Sequence, residues 1–64
     1  MKQRVDFDPG TAPGNLRNQL YAWSRRHNIV FGEGEGLSIY FGRESDLTVF
    51  LLTWDDGVAV PRVH

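Results

Sequence analysis

Apolar and polar residues alternate strictly in two short parts of the chain. Over residues 4–8 the apolar side chains of Val5 and Phe7 alternate with charged ones, and over residues 37–41 every second residue is apolar. A period of two places alternate side chains on opposite faces of the backbone, which is typical of a half-buried β-strand. We therefore predict strands over both segments.

Between these segments the spacing of apolar residues becomes helical. One face of the predicted helix carries Leu16, Leu20, Trp23 and His27, at i, i+4, i+7 and i+11. Thr11 is suited to cap the N-terminus, Pro13 is tolerated in the first turn, and Asn28 suits the left-handed conformation that ends many helices. The sequence thus predicts a helix that is capped by Thr11 and ends near residue 27.

Three glycines alternate with glutamates in the stretch FGEGEGL, residues 31–37. A phosphate-binding loop needs backbone N–H groups at a helix N-terminus and usually a lysine. Here a strand follows instead, and Glu33 and Glu35 would repel a phosphate. We interpret the stretch as the turn of a β-hairpin between a short strand over residues 29–31 and the strand over 37–41. Its acidic tip is a candidate contact for a basic partner.

Residues 45–54, SDLTVFLLTW, fit two different elements. Apolar residues with helical spacing predict a helix: Leu47, Phe50, Leu51 and Trp54. Ser45 as N-cap and Asp46 in the first turn support this interpretation. The β-branched residues favour a strand instead: Thr48, Val49 and Thr53. After a turn at 55–57, residues 58–60 predict a last short strand, which Pro61 ends.

The two interpretations of residues 45–54 give two arrangements of one fold class. With a helix there, the element order is βαββαβ, the ferredoxin-like arrangement, which we favour. With a strand there, the order is βαββββ, and one helix packs on an antiparallel sheet. Both are two-layer α+β folds, and the length of 64 residues predicts a single domain over 1–64.

Composition narrows the class of protein. The chain is 41% hydrophobic and has eight aromatic residues, enough for a compact core, and it has no cysteine for disulfides or thiolate sites. A net charge of −1 argues against general binding of polyanions, because nonspecific affinity for nucleic acid comes from neutralising phosphates. No segment approaches the roughly 20 apolar residues of a membrane span. We therefore expect a soluble, cytoplasmic protein without a membrane partner.

Basic and aromatic residues share the exposed side of the predicted helix, at i, i+4 and i+8, and one tyrosine points outward from a central strand. Guanidinium groups around a ring suit recognition of carboxylates or phosphates, and the ring can stack on a base. With the two hairpin glutamates, the candidate partner-binding residues are Arg17, Tyr21, Arg25, Arg26, Tyr40, Glu33 and Glu35. The plain alternative is a solvated helix face.

The sequence contains no recognisable catalytic or metal-binding pattern. The serines have no base at a short spacing, and His27 and His64 form no HxxxH or comparable motif with the aspartates at 55 and 56. A domain of this length also has little room for a pocket that excludes water. We therefore expect no catalytic, metal or cofactor site, and we do not expect an enzyme.

The run LSIYFGRESDLTVFLLTW, residues 37–54, resembles the tail of small uncharacterised bacteriophage α+β proteins. In these an aromatic strand is followed by an acidic turn and a D-small-x-x-F-x-L-x-W segment, although this chain has Leu47 and Thr48 where a small residue is expected. The resemblance implies a phage accessory protein in the host cytoplasm. We predict a noncatalytic interaction protein that binds and modulates or inhibits a host protein, such as a defence component. The alternative is a small RNA- or DNA-binding domain that uses the basic-aromatic helix face.

The small core also raises the question of self-association. Val49 and Leu52 fall off the apolar stripe of a helix over residues 45–54 and need covering. Together they mark a candidate contact in a symmetric dimer, the commonest oligomer. A monomer and a homodimer both stay open.

Overall fold

The structure is a computed structural model that describes residues 3–63. Its elements in chain order are β1 (Gln3–Phe7), α1 (Leu16–His27), β2 (Gly32–Glu33), β3 (Ser38–Phe41), α2 (Glu44–Thr53) and β4 (Pro61–Val63). The predicted α+β class is confirmed. Residues 45–54 belong almost entirely to α2, so the helix interpretation of this segment is confirmed and the strand interpretation is wrong.

The four strands form one antiparallel sheet in the order β2-β3-β1-β4. The observed element order is βαββαβ, the order that we favoured from the sequence. The sheet is antiparallel, as the alternative arrangement with one helix also predicted. Each helix joins two strands that have one other strand between them. Assignment to the ferredoxin-like fold stays a prediction.

Both helices pack on one face of the sheet and enclose an aromatic core. The Trp23 ring stands edge-on to Phe50 at a centroid distance of 4.9 Å, and Phe50 lies 5.4 Å from Phe41. His27 is half-buried with its ring 5.0 Å from that of Trp23, as expected for the end of the α1 stripe. The buried apolar residues are Val5, Phe7, Leu16, Leu20, Trp23, Ile39, Phe41, Leu47, Phe50, Trp54 and Ala59.

Two short strands lie later in the chain than the sequence predicts. The strand expected over 29–31 lies at β2, because Phe31 packs its ring on Phe41 and on Tyr21 of α1. The strand expected over 58–60 lies at β4, because the Trp54 indole N–H donates to the carbonyl of Ala59 at 2.9 Å and holds this segment as a loop. Pro61 begins β4 rather than ending a strand, which an edge strand tolerates.

The helix starts also differ from expectation. Thr11 lies in a turn, where its amide donates to the Asp8 carbonyl, and α1 begins three residues after Pro13 with Asn15 as N-cap. Ser45 lies inside α2, whose N-cap is Arg43, while Asp46 is in the first turn as predicted. Neither N-cap residue makes a side-chain capping bond, so packing rather than capping chemistry fixes these ends.

The apolar stripe of α2 is narrower than predicted. Leu47, Phe50 and Trp54 are buried, but Leu51 is 44% exposed. The core therefore receives only part of the apolar surface of α2.

Candidate functional site

Three of the predicted binding residues contact one another. Arg17 forms an ion pair with Glu33, and its other terminal nitrogen donates to the carbonyl of Gly36 at 3.1 Å. The Tyr21 ring lies on Phe31 at a centroid distance of 5.2 Å. A hydrogen bond to Glu33 raises the pKa of Tyr21, burial and the Glu33 charge add to this, and Arg17 opposes it.

These contacts dock the β2-β3 hairpin against α1. The hairpin prediction is confirmed, since β2 pairs antiparallel with β3 and Gly36 takes a positive φ of 62°. A basic contact for the acidic tip therefore exists within the chain, where Arg17 faces Glu33. Much of the predicted basic-aromatic stripe is used to hold the fold together.

The chain turns sharply where α1 ends. Asn28 adopts the predicted left-handed conformation, with φ 55° and ψ 42°. The amide of Ile29 then donates to the Ser24 carbonyl at 3.0 Å. As a result Ile29 packs against the core, while Val30 points outward and is 86% exposed.

Val30 stands between two open clefts. One has a volume of about 220 Å³ and is lined by Tyr21, Ser24, Arg25, Asn28, Ile29, Val30 and Phe31. The other has a volume of about 350 Å³ and is lined by Asn28, Ile29, Val30, Gly42, Arg43 and Asp46. The clefts bring the end of α1 beside the start of α2.

Two guanidinium groups flank Val30. Arg25 lines the first cleft and Arg43 the second, and neither side chain makes a hydrogen bond or ion pair with any residue in 3–63. Tyr21 borders the first cleft and is half-exposed. We call Tyr21, Arg25, Val30 and Arg43 the basic apolar surface.

Sequence reasoning found Tyr21 and Arg25 but missed the other two members. Arg43 lies on a different element, so helical spacing could not connect it to Arg25. Val30 lies between Ile29 and Phe31, which both pack against the core. That alternation was the signal that its side chain points outward.

The remaining predicted residues lie elsewhere. Arg26 lines a cleft of about 230 Å³ between α1 and α2, which Thr53 and Asp55 also line. Tyr40 lies on the sheet face opposite the helices, where its ring approaches Gly34. Glu35 is in the hairpin turn and contributes to the raised pKa of Arg4. The seven predicted residues therefore do not form one surface.

The sheet face opposite the helices carries its own polar network. Arg4 pairs with Asp6 at 2.9 Å, and the Ser38 hydroxyl donates to the same Asp6 oxygen at 2.6 Å. The hydrogen bond to Asp6 is the main cause of the raised pKa of Arg4. Arg62 lies opposite Asp6 in the β1-β4 register. The ion pair thus lies within β1, and Ser38 joins it from the neighbouring strand β3.

Other kinds of site receive no support from the geometry. Within residues 3–63 no group of three or more His, Asp or Glu side chains is placed to hold a metal ion. In the same part of the chain, no helix is both long enough and apolar enough to cross a membrane. No protein family, curated protein or solved structure matches this chain.

Proposed function

We propose that this chain is a noncatalytic interaction protein that binds another protein through the basic apolar surface. In line with the resemblance of residues 37–54, we propose a bacteriophage accessory factor that binds and modulates or inhibits a host protein in the host cytoplasm. One observation carries the binding proposal: Val30 is 86% exposed between two clefts. Beside it lie the guanidinium groups of Arg25 and Arg43, which have no partner among residues 3–63.

The surface has the chemistry of a small interface centre. A few Tyr, Trp and Arg side chains supply most of the binding energy in protein interfaces, around an apolar anchor that excludes water. Val30 supplies the anchor, Tyr21 the ring, and Arg25 and Arg43 the charged groups. A partner that fits has an apolar pocket with Asp or Glu at its rim, because guanidinium groups bind carboxylates in a forked geometry.

The surface is also held in place before binding. Asn28 fixes the turn at the end of α1, and Tyr21 is held by the Phe31 ring and by Glu33. Binding that requires little ordering of the free protein retains more of its contact energy as affinity. This rigidity supports recognition of one specific partner.

The nucleic-acid alternative has weaker support. Its predicted contacts included Arg17, which is paired with Glu33, and Tyr21, whose ring lies against Phe31. Of the groups at this end of the molecule, mainly Arg25 and Arg43 remain for phosphates. Nonspecific affinity rises with the number of phosphates neutralised, so two arginines favour weak binding at most.

The test compares three variants as bait in lysates of the bacterial host. We expect the parent chain to capture one protein at about equal molar amount and Val30→Asp and Arg25→Glu to lose it. Val60→Asp is the matched control, since Val60 is 64% exposed at the other end of the sheet. Equal capture by the parent and Val30→Asp would show that the partner binds elsewhere.

A second measurement separates the alternative function. A labelled oligonucleotide that binds the parent at low salt, with affinity that falls steeply as salt increases, would favour the nucleic-acid reading. Loss of that binding in Arg25→Glu and Arg43→Glu would assign it to the same surface. No binding at low salt would remove the alternative.

A further inference from the structure

The two edges of the sheet differ in the backbone groups that they present. In an antiparallel pair, residues that exchange hydrogen bonds alternate with residues whose N–H and C=O groups point away from the neighbouring strand. The amide of Phe7 donates to the carbonyl of Leu37 at 2.9 Å. The backbone groups of Asp6 therefore point to β4, where Arg62 lies opposite them. Pro61 comes one residue before and faces outward, where it has no N–H to offer, so this edge is protected from further pairing.

The edge at β2 has no such protection. The amide of Gly34 donates to the carbonyl of Ser38 at 2.9 Å, so these two residues form a hydrogen-bonded pair. Glu33, one residue earlier, directs its N–H and C=O away from β3. Continuing the register places Phe31 opposite Phe41, and their ring centroids lie 6.4 Å apart. Among residues 3–63 no strand lies beyond β2, so the backbone groups of Phe31 and Glu33 form an open edge.

Helix α1 runs beside this edge and forms the second wall of a groove. Arg17 of α1 pairs with Glu33. One turn later, Tyr21 packs on Phe31. After a further turn, Arg25 lines the cleft of about 220 Å³ that the Phe31 ring also borders. The groove therefore has backbone donors and acceptors along one wall, and a ring and a guanidinium group along the other.

The spacing along α1 matches that of an extended chain. Four residues of helix, from Tyr21 to Arg25, rise about 6 Å. Two residues of a β-strand span about 6.6 Å and project their side chains on the same face. The side chains of Phe31 and Glu33 both contact α1, so residues paired directly opposite them would face α1 as well. A strand added to this edge would thus place one side chain over Tyr21 and the next on that face over Arg25.

We propose that the partner of the basic apolar surface contributes an extended segment that adds to the sheet at β2, an inference that rests on the proposed binding function. The segment pairs antiparallel with β2, as the other strands of this sheet do with their neighbours. Its residue opposite Glu33 is apolar, because it lies over the Tyr21 ring. The residue two positions later lies opposite Phe31 and is Asp or Glu, because it lies beside Arg25.

The chemistry of the groove favours a peptide as its occupant. Arg25 makes no hydrogen bond or ion pair with any residue in 3–63, and a guanidinium group forms strong charge-assisted hydrogen bonds with a carboxylate. The edge offers both N–H donors and C=O acceptors. A peptide strand satisfies both, as in other sheets that bind extended peptides at an edge, whereas a phosphodiester backbone has no donor. Val30 follows along the same edge, so the partner covers it where the segment continues beyond the acidic residue.

A synthetic peptide tests the strand addition. The probe is an acetylated and amidated peptide of about six residues, a usual strand length. It consists of threonine except for one leucine and, two positions later, one aspartate. Hydrogen exchange followed by NMR should slow about tenfold at the amides of Phe31 and Glu33 when the peptide is at about ten times its Kd, because roughly one chain in ten is then free. The amide of Val63, on the β4 edge, is the control and should exchange as before.

Two outcomes of this measurement would overturn the proposal. One is unchanged exchange at Phe31 and Glu33 at the highest soluble peptide concentration. The other is equal slowing at Val63, which would mean that the peptide does not distinguish the two edges. A peptide with the aspartate two positions before the leucine should bind more weakly, and tighter binding of that peptide would contradict the antiparallel direction.

N-methylation of the peptide separates strand addition from binding by side chains alone. Methyl groups on the leucine and aspartate nitrogens replace the two N–H groups that face β2, and should abolish binding. Methyl groups on the two threonines that follow these residues replace N–H groups that point to solvent, and should leave the affinity nearly unchanged. Equal losses from both modifications would mean that the bound peptide is not a strand of this sheet.

Charge reversal tests the position of the acidic residue. Arg25→Glu should weaken binding of the aspartate peptide about tenfold, through loss of a hydrogen bond between charged groups. A peptide with lysine in place of the aspartate should bind Arg25→Glu better than it binds the parent. Arg26→Glu is the matched control, because Arg26 lines a different cleft and should leave the affinity unchanged. Unchanged affinity in Arg25→Glu would show that the aspartate does not lie beside Arg25.

The same measurements distinguish failure of strand addition from failure of the proposed function. If a host protein is captured through Val30 and Arg25 but leaves exchange at Phe31 and Glu33 unchanged, the surface binds by side chains and strand addition is wrong. If the peptide slows exchange at both amides while Val30→Asp and Arg25→Glu capture the same proteins as the parent, strand addition stands and the proposed function fails.

Discussion

Glu33 is the residue that joins α1 to the hairpin. Its carboxylate accepts from Arg17 and also from the Tyr21 phenol, whose pKa it raises. Exposed ion pairs typically contribute only about 0–1 kcal/mol to the free energy of unfolding. The main effect of the Glu33 contacts is therefore to fix where the hairpin lies against α1. Together with the Tyr21 ring on Phe31, this contact sets one wall of the cleft that Arg25 and Val30 border.

Removing the Glu33 charge should lower the pKa of Tyr21. Glu33→Gln abolishes both the charge and the strong acceptor, so the phenol should titrate closer to its ordinary value of about 10. Phenolate absorbance measures this directly in a Tyr40→Phe background, where Tyr21 is the remaining tyrosine. Glu35→Gln removes a charge from the same hairpin and should leave the titration unchanged. An unaltered midpoint in Glu33→Gln would contradict the assigned cause.

The same shift fixes the sign of a pH dependence. Because the pKa of Tyr21 is raised on folding, the unfolded chain loses this proton first as pH rises. The stability that the hydrogen bond contributes is therefore present below about pH 10 and is lost as pH increases from there through the pKa of the folded state. In Glu33→Gln the alkaline loss of stability that comes from this group should diminish.

Among the elements, α2 was the most ambiguous from sequence. Its β-branched residues favoured a strand, yet the helical spacing of Leu47, Phe50 and Trp54 decided the outcome because it lets all three reach the core. Propensity is a weak preference that tertiary packing overrides. The helices, β1 and β3 were thus predictable from periodicity.

Periodicity could not predict the positions of the short strands β2 and β4. It also could not predict two members of the basic apolar surface, Val30 and Arg43. The position of β2 depends on Phe31 packing across α1, and that of β4 on the bond from Trp54 to Ala59. Both are contacts between distant parts of the chain, which a local pattern does not contain. For the same reason the sequence could not show that Arg25 and Arg43 lie on either side of Val30. They belong to different elements, and only the folded chain places the end of α1 beside the start of α2.

The close approach of the Tyr40 ring to Gly34 in the hairpin can be tested by substitution. A methyl group at Gly34 would collide with the Tyr40 ring and would lie 3.1 Å from Cβ of Ser38. Overpacking of this kind costs about 1–3 kcal/mol, so Gly34→Ala should lower the free energy of unfolding in urea by that amount. Gly32→Ala is the matched control, because its added methyl meets open space. In a Tyr40→Ser background the loss at position 34 should shrink, and an undiminished loss would assign it to the backbone instead.

Over the whole molecule, stability and binding occupy separate regions. The aromatic rings form one connected core, in which Trp23 contacts Phe41 and Phe50 and its indole N–H donates to Thr53 of α2 at 2.9 Å. The exposed apolar side chains lie outside this core: Tyr21 and Val30 on the basic apolar surface, Leu51 and Leu52 on α2, and Val60 and Val63 at or just before β4. Substitutions on the basic apolar surface can therefore test binding without unfolding the chain.

Trp23 is the residue through which the core can best be tested. Trp23→Ala should cost about 3–5 kcal/mol, as other large aromatic truncations in cores do. Small domains often have a total stability near 5 kcal/mol, so the variant should be largely unfolded at 25 °C, with loss of the near-ultraviolet circular dichroism signal.

Trp23→Phe keeps a ring but loses the hydrogen bond to Thr53, and should lower the free energy of unfolding by less. Val60→Ala, at an exposed site, should melt with the parent. A Trp23→Ala variant that melts at the parent temperature would mean that α1 does not hold the sheet through this side chain, because loss of a buried indole cannot leave a core of this size intact.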